Sequence, residues 1–178
     1  MASVEVYSDA EEVELELNGV SQGIHPAGEL HGYTAEWEIP YEPGMLIAYA
    51  IRGGERSEKW ELTTAENDCV LQPVPEKQQL KADGKSLAFI PIELQDRKGV
   101  VNPAQPCKVT VKVAGAGRLV SFGTANPSPE AEPGDTTWPL WDGRALAIVQ
   151  AGEHEGKIDV SVSAQGIPEE IVTIDVLN

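Results

Sequence analysis

The segment TTWPLWDGR, residues 136–144, carries the side chains of this sequence best suited to touch a ligand. It places Trp138 and Trp141 on either side of a proline and a leucine, and an Asp-Gly turn follows. An indole ring in a loop can stack on a sugar, whereas a ring beside a turn can close a β-sheet core. Because Trp141 directly precedes the turn and an apolar strand, we assign it to the core. Trp138 lies in a Gly-, Pro- and Glu-rich segment, which gives the hypothesis that it is exposed and binds carbohydrate, with Asn126 or Asp135 contributing.

The sequence contains no recognisable catalytic motif. No GxSxG nucleophile elbow occurs. The run GAGRLV at 115–120 lacks the last glycine of a phosphate-binding loop and continues as a strand, so we interpret it as a glycine-rich turn. Glycosidases need two carboxylates about 5–9.5 Å apart, and no spacing singles out one pair among the 29 acidic residues. We therefore predict no catalytic residue in this chain.

The histidines and cysteines predict neither a metal centre nor a cofactor site. His25, His31 and His154 form no HxH or HExxH pattern, and the first two are expected in a surface loop. Cys69 and Cys107 do not form the CxxC pair of zinc and redox sites. Two lone thiols are therefore expected, with one bridge between them as the alternative, and the cellular compartment stays open.

Charge excludes several classes of partner. The net charge is −16, from 29 acidic and 13 basic side chains, so nucleic acids and anionic membrane surfaces are repelled. No apolar run approaches the roughly 20 residues of a membrane-spanning helix. We interpret the acidity as a solvated surface. Calcium held by Glu130, Glu132 and Asp135 is the alternative, although these residues lack EF-hand spacing.

The elements that position these residues are predicted to be strands, because hydrophobic residues alternate with a period of two. Strict alternation occurs at residues 13–17, 109–113, 158–162 and 171–176. Asn18-Gly19 is a strong hairpin signal, and further turn signals such as Asp142-Gly143 recur along the chain. Short strands separated by such turns predict antiparallel sheets packed as sandwiches.

A polar segment with prolines divides the chain. Residues 66–79 are the best helix candidate, but Pro73 and Pro75 would break a helix interior, so we interpret residues 67–75 as an extended linker. The prediction is an all-β protein with two tandem antiparallel β-sandwich domains, at 1–66 and 76–178. The first is short for a sandwich, which a missing edge strand would explain. A single two-sheet domain with a long connection is the alternative.

Longer segments carry a family resemblance. The runs VEVYSDAEEVELELNGVSQG at 4–23 and YEPGMLIAYAIRGGERSEKWELTTA at 41–65 resemble the immunoglobulin-like module that follows the catalytic barrel in bacterial β-galactosidases of glycoside hydrolase family 2. The segments 81–104, 115–127 (GAGRLVSFGTANP) and 141–167 resemble the last immunoglobulin-like domain of the same enzymes. The resemblance thus implies two tandem immunoglobulin-like domains over nearly the whole chain.

The resemblance implies an accessory role. In the family, both catalytic glutamates lie on a (β/α)₈ barrel and one follows an asparagine, but this sequence has no Asn-Glu pair. A chain of 178 residues cannot hold a barrel of about 250. We expect the C-terminal segment of a β-galactosidase, inactive alone, whose partner is the upstream barrel. A carbohydrate-binding module using Trp138 is the alternative. An adhesin-type stalk is the third reading, because the last domain also resembles repeats of bacterial surface proteins.

Overall fold

A computed structural model describes residues 1–128, 132 and 134–178, and their regular structure is strands with one short 3₁₀ turn. The chain forms two compact units, Met1–Thr64 and Ala65–Asn178. Both are built from mainly antiparallel sheets, so the prediction of an all-β antiparallel sandwich fold is confirmed. Within the described residues, no helix is long and apolar enough to cross a membrane.

The first unit consists of a larger and a smaller sheet. Its strands are β1 (Ala2–Tyr7), β2 (Glu12–Leu17), β3 (Val20–Pro26), β4 (Thr34–Ile39), β5 (Met45–Arg52) and β6 (Glu55–Thr63), with the 3₁₀ turn at Glu29–His31. A four-stranded sheet has the order β3-β2-β5-β6, and β1 pairs with β4 in a two-stranded sheet. Asn18 and Gly19 have φ values of 51° and 80° and form the predicted turn between β2 and β3.

The core of the first unit lies between these two sheets. It contains Val13, Leu15 and Leu17 of β2 and Ala35, Trp37 and Ile39 of β4. β4 lies over β3, because the His25 ring stacks on Trp37 with their centroids 4.6 Å apart. The Nδ1 atom of the same ring lies 2.6 Å from the carbonyl oxygen of Glu36. His25 therefore belongs to a strand and not to the predicted surface loop.

The second unit is a sandwich in which both sheets have at least four strands. Its strands are β7 (Cys69–Pro73), β8 (Gln79–Lys81), β9 (Leu87–Asp96), β10 (Lys108–Gly115), β11 (Gly117–Gly123), β12 (Thr137–Pro139), β13 (Arg144–Ala151), β14 (Gly156–Ala164) and β15 (Ile167–Leu177). A five-stranded sheet has the order β12-β10-β14-β15-β8, and a four-stranded sheet has the order β11-β13-β9-β7. The pairing of β15 with β8 is parallel. Both sheets contribute to one core, in which Ile90 of β9 and Val160 of β14 are each 0% exposed.

The predicted linker over residues 67–75 is wrong. Cys69–Pro73 forms β7, which pairs with β9 at the edge of the four-stranded sheet. Cys69 and Leu71 are buried in the core of the second unit. Prolines disrupt a helix interior, but an edge strand accepts them because one of its sides has no ladder partner. The prolines therefore excluded a helix without excluding a strand.

Candidate functional site

Trp138 does not present a surface on which a sugar could stack. Its side chain is only 6% exposed, in β12 opposite Val109 of β10. Its indole Nε1 donates a hydrogen bond of 3.2 Å to the carbonyl oxygen of Asp135. A buried indole whose N–H is satisfied is a core residue. The hypothesis that Trp138 is exposed is therefore wrong.

The polar side chains predicted to assist Trp138 are engaged in local turns. The carboxylate of Asp135 accepts a hydrogen bond of 2.9 Å from the backbone N–H of Glu132. The side-chain oxygen of Asn126 accepts one of 2.9 Å from the backbone N–H of Ser128. Glu130, which belongs to the calcium alternative, lies outside the described residues. Among the described residues, no group of three or more His, Cys, Asp or Glu side chains is arranged to hold a metal ion.

Trp141, in contrast, faces solvent and is 41% exposed. It pairs with Arg144 across the Asp142-Gly143 turn through two backbone hydrogen bonds of 3.1 and 3.0 Å. Residues paired in this way project from the same face. In β13 every second residue, beginning with Ala145, points into the core, so Arg144 points outward. Our assignment of Trp141 to the core is therefore wrong, and alternation carried back through the hairpin would have predicted its exposure.

A groove of about 680 Å³ lies beside this hairpin, and we call it the Trp141 groove. Its lining includes Ser121, Thr124, Trp141, Asp142, Arg144 and Leu146. Arg144 Nε donates a hydrogen bond of 2.9 Å to Glu93, whose other carboxylate oxygen accepts one of 2.6 Å from Gln95. Within the described part of the chain, no hydrogen bond engages the Trp141 indole N–H or the Asp142 carboxylate. The groove thus combines an aromatic ring with polar groups of both charges.

A second cleft, of about 510 Å³, lies where β10 meets β11 and is rich in glycine. A Cβ atom on Gly115 would lie 2.1 Å from the carbonyl oxygen of Lys157, and one on Gly117 would lie 2.5 Å from that of Gln150. The glycines therefore permit close strand packing. Gly115 ends β10 and Gly117 begins β11, so Ala116 alone joins the two strands, and a strand follows as the sequence predicted.

Among the residues that the structure describes, three carboxyl groups have shifted pKa values, and all three shift downward. Hydrogen bonds from Ser21 and then Arg56 lower the pKa of Glu14. Backbone N–H groups lower the pKa of Asp83 and of Asp96. The general acid of a glycosidase needs the opposite shift, because its proton must still be present near neutral pH. These three groups are therefore unsuited to general-acid catalysis.

The two cysteines are free thiols in different settings. Cys69 is buried, and its Sγ donates a hydrogen bond of 3.3 Å to the carbonyl oxygen of Glu66. Burial, and secondarily the proximity of Cys69, raises the pKa of the half-buried Cys107 thiol. A raised pKa reduces the thiolate fraction, so Cys107 is a weak nucleophile at neutral pH.

Two family models match this chain. The model described as glycoside hydrolase family 2 C-terminal domain 5 matches residues 71–173. A model described as a domain of unknown function, DUF4982, matches residues 1–58. Together they cover most of both compact units.

Individual proteins similar to the chain are much longer than it. The β-galactosidase BoGH2A of Bacteroides ovatus is 29% identical over 168 residues, which are 94% of this chain and 20% of that protein. A solved glycosyl hydrolase family 2 member from Bacteroides cellulosilyticus is 30% identical with a TM-score of 0.92, over 98% of this chain and 22% of that one. A β-glycosidase from Bacteroides vulgatus is 26% identical with a TM-score of 0.82, over the same shares of the two chains, 98% and 22%. The chain thus spans about a fifth of the length of each.

Proposed function

The chain belongs to glycoside hydrolase family 2 through its C-terminal domain 5, and from this premise we propose that it is a non-catalytic accessory segment of a larger β-galactosidase. The family resemblance found in the sequence is thereby confirmed. The similarity to a β-galactosidase of which the chain spans only 20% supports both the activity of the parent and its location outside this segment. The downward pKa shifts of Glu14, Asp83 and Asp96 fit a segment without a general acid.

The observation that carries the accessory role is an apolar face in the first unit. Trp60 of β6 pairs with Ala48 of β5, and Leu62 pairs with Leu46. Paired residues share a face of the sheet, and Ala48 and Leu46 pack against the core. Trp60 and Leu62 therefore lie on the core side of the sheet, yet they are 75% and 61% exposed.

The uncovered face arises because the two sheets of the first unit differ in width. β4 lies over the edge strand β3, and Val4 and Val6 of β1 pack against the core, so β1 lies on the side of β4 that is nearer to β5 and β6. Within the described residues no strand pairs with the other edge of β1. A strand added there would lie opposite β5 and β6. We call the four residues Leu46, Ala48, Trp60 and Leu62 the open face.

We infer that the remainder of the parent glycosidase packs against the open face. Contiguous exposed apolar residues mark interaction surfaces. The open edge of β1 offers unpaired backbone groups to an added strand beside them. The charged residues of β6, such as Lys59 and Glu61, lie on the opposite side of the sheet, where they pair with Tyr49 and Ile47. An apolar face bordered by an unpaired strand edge suits packing against protein.

Activity assays test whether the parent hydrolyses β-galactosides while this chain alone does not. The isolated 178-residue chain and its complete parent are compared on nitrophenyl β-D-galactoside. We expect hydrolysis by the parent and none above buffer by the isolated chain. Enzyme-like turnover by the isolated chain would refute the accessory role. A parent that hydrolyses only other nitrophenyl β-glycosides would refute the assignment of the substrate and leave the accessory role standing.

Cysteine labelling tests the open face. Leu62→Cys is expected to react rapidly with a maleimide in the isolated chain and much more slowly in the parent, where the interface covers it. Glu61→Cys, the next residue on the opposite side of β6, is the matched control and is expected to react rapidly in both. Equal rates for Leu62→Cys in both proteins would show that nothing covers this face. Protection that grows with the concentration of the isolated chain would indicate self-association instead.

A further inference from the structure

We propose that the Trp141 groove binds a neutral β-linked hexose chain, with the indole of Trp141 stacked on one sugar ring and Asp142 and Arg144 bonded to its hydroxyl groups. This site lies in the second unit, and it does not depend on the accessory role or on the open face. It also differs from the carbohydrate site considered for Trp138, which is buried.

The composition of the groove fits a sugar. A hexose presents an apolar C–H face and a rim of hydroxyl groups, so it needs a flat apolar surface flanked by donors and acceptors. Trp141 is 41% exposed and Leu146 is 38% exposed, and they provide the apolar surface. Asp142 provides acceptors, Arg144 provides donors, and Ser121 adds a hydroxyl group. The volume of about 680 Å³ lies within the usual range of ligand pockets.

The backbone turn beside the aromatic ring is held in position before a ligand arrives. Asp142 and Gly143 have φ values of 49° and 73°, which defines a tight two-residue turn. The carbonyl oxygen of Gly143 accepts a hydrogen bond of 2.8 Å from the backbone N–H of Leu94. The turn also packs so closely that a Cβ atom on Gly143 would lie 2.5 Å from the carbonyl oxygen of Asn102. A fixed loop loses little conformational entropy on binding.

The guanidinium of Arg144 is also held in place. Arg144 uses its Nε in the ion pair with Glu93. The terminal nitrogens of the guanidinium therefore remain available as donors. Glu93 is itself held by Gln95. The turn fixes the backbone of Asp142. Arg144 is therefore oriented before a ligand arrives.

Charge favours a neutral ligand. The chain carries a net charge of −16, so an anionic polysaccharide would meet a repulsive field before it reached Arg144. Arg144 is already paired with Glu93, which reduces its attraction for a second carboxylate. Trp60, which is more exposed, lacks comparable surroundings, because its neighbours on the open face are the apolar Leu46, Ala48 and Leu62. Exposure alone therefore does not distinguish the two tryptophans, whereas their polar neighbours do.

Affinity electrophoresis of the 178-residue chain tests the proposal in gels that contain β-1,4-galactan, hydroxyethylcellulose or polygalacturonate. We expect retardation in one or both of the neutral polymers. Trp141→Ala should abolish it, and Trp60→Ala, the matched control, should leave it unchanged. Trp141→Phe should keep part of the effect, because it retains an aromatic face and the hairpin. Arg144→Gln should weaken binding about two- to tenfold, the range expected for one lost hydrogen bond.

Three results would overturn the proposal. The first is normal mobility of the unmodified chain in all three gels. The second is retardation that persists in Trp141→Ala, which would place binding elsewhere. The third is retardation in polygalacturonate alone, which would indicate ionic recognition. A circular dichroism spectrum of Trp141→Ala that matches the unmodified chain separates lost binding from lost folding.

Discussion

The two units use the same alternating strands but cover them to different extents. In the second unit a five-stranded sheet faces a four-stranded one, and central residues such as Ile90 are completely buried. In the first unit a four-stranded sheet faces only two strands, and Trp60 on its core side remains 75% exposed. Alternation determines which side of a sheet a residue occupies. The opposing layer determines whether that side becomes a core.

This difference has an energetic consequence. Full burial of a large apolar side chain contributes about 1.5–3 kcal/mol relative to exposure. Trp60 and Leu62 forgo most of this contribution in the isolated chain. The first unit is therefore expected to be the less stable of the two, and its missing stability would come from whatever covers the open face.

The largest expected effect comes from truncating the same residue type in each unit. Leu71→Ala in β7 should destabilise the second unit by about 2–5 kcal/mol, because it leaves a cavity in a packed core. Leu71 is 1% exposed, whereas Leu62 is 61% exposed. Leu62→Ala should change stability by no more than about 0.5 kcal/mol. Urea titrations in which hydrogen exchange monitors each unit separately measure both changes in the free energy of unfolding.

Equal losses from the two leucine substitutions would contradict this difference between the units. A large loss from Leu62→Ala would mean that the first unit closes over its open face in solution. A negligible loss from Leu71→Ala would mean that residues 69–73 behave as the predicted linker after all. Leu62→Ala in the complete parent sharpens the test, since there the same substitution should approach the cost of Leu71→Ala.

The sequence predicted the class of fold because period two and turn chemistry are local properties. The alternation at residues 13–17 and the Asn18-Gly19 turn are found as strand β2 and the turn to β3. The sequence misplaced β7 because a proline excludes a helix but does not distinguish a linker from an edge strand. That distinction depends on whether β9 offers a partner, which is a tertiary property.

The candidate site was only partly accessible from sequence for the same reason. The segment around Trp138 and Trp141 was correctly selected as unusual, but the two side chains were assigned to opposite environments. Trp141 is exposed because it pairs with Arg144 in the hairpin, and the alternation of β13 already indicates that Arg144 faces outward. The burial of Trp138 depends on its pairing with β10, which lies far away in the sequence. The open face was predicted only in part: the shortness of the first domain indicated a missing edge strand, but the side chains left uncovered depend on the strand order of both sheets.

A smaller effect is expected from the two matched hairpin turns. Gly19 and Gly143 have φ values of 80° and 73°, so alanine at either position costs about 1–2 kcal/mol in backbone strain. A Cβ atom on Gly19 meets nothing within 4 Å, whereas one on Gly143 would lie 2.5 Å from the carbonyl oxygen of Asn102. Gly143→Ala should therefore destabilise its unit more than Gly19→Ala destabilises the other. Thermal unfolding of both variants measures the difference, and equal losses would show that the second turn is not packed as described.

The smallest expected effect is a dependence of the stability of the second unit on pH. Asp96 is 2% exposed and accepts backbone hydrogen bonds from Glu66, Val100 and Lys98 at 3.0, 2.9 and 2.8 Å. These bonds lower its pKa in the folded state below the unfolded value of about 3.9. The carboxylate therefore contributes stability above that unfolded value, and the contribution is lost as the pH falls through the folded pKa.

Asp96→Asn removes this dependence on pH, because the amide cannot ionise and its nitrogen cannot accept the Glu66 N–H. The variant should be less stable than the unmodified chain at pH 7, and the two urea midpoints should converge as the pH approaches 3. Asp83→Asn is the control, since the pKa of Asp83 is also lowered by backbone N–H groups but its side chain is exposed to solvent. Its effect should be smaller because water screens and replaces those bonds. A constant gap between Asp96→Asn and the unmodified chain from pH 7 to 3 would show that packing, and not the carboxylate charge, accounts for the stability lost at this position.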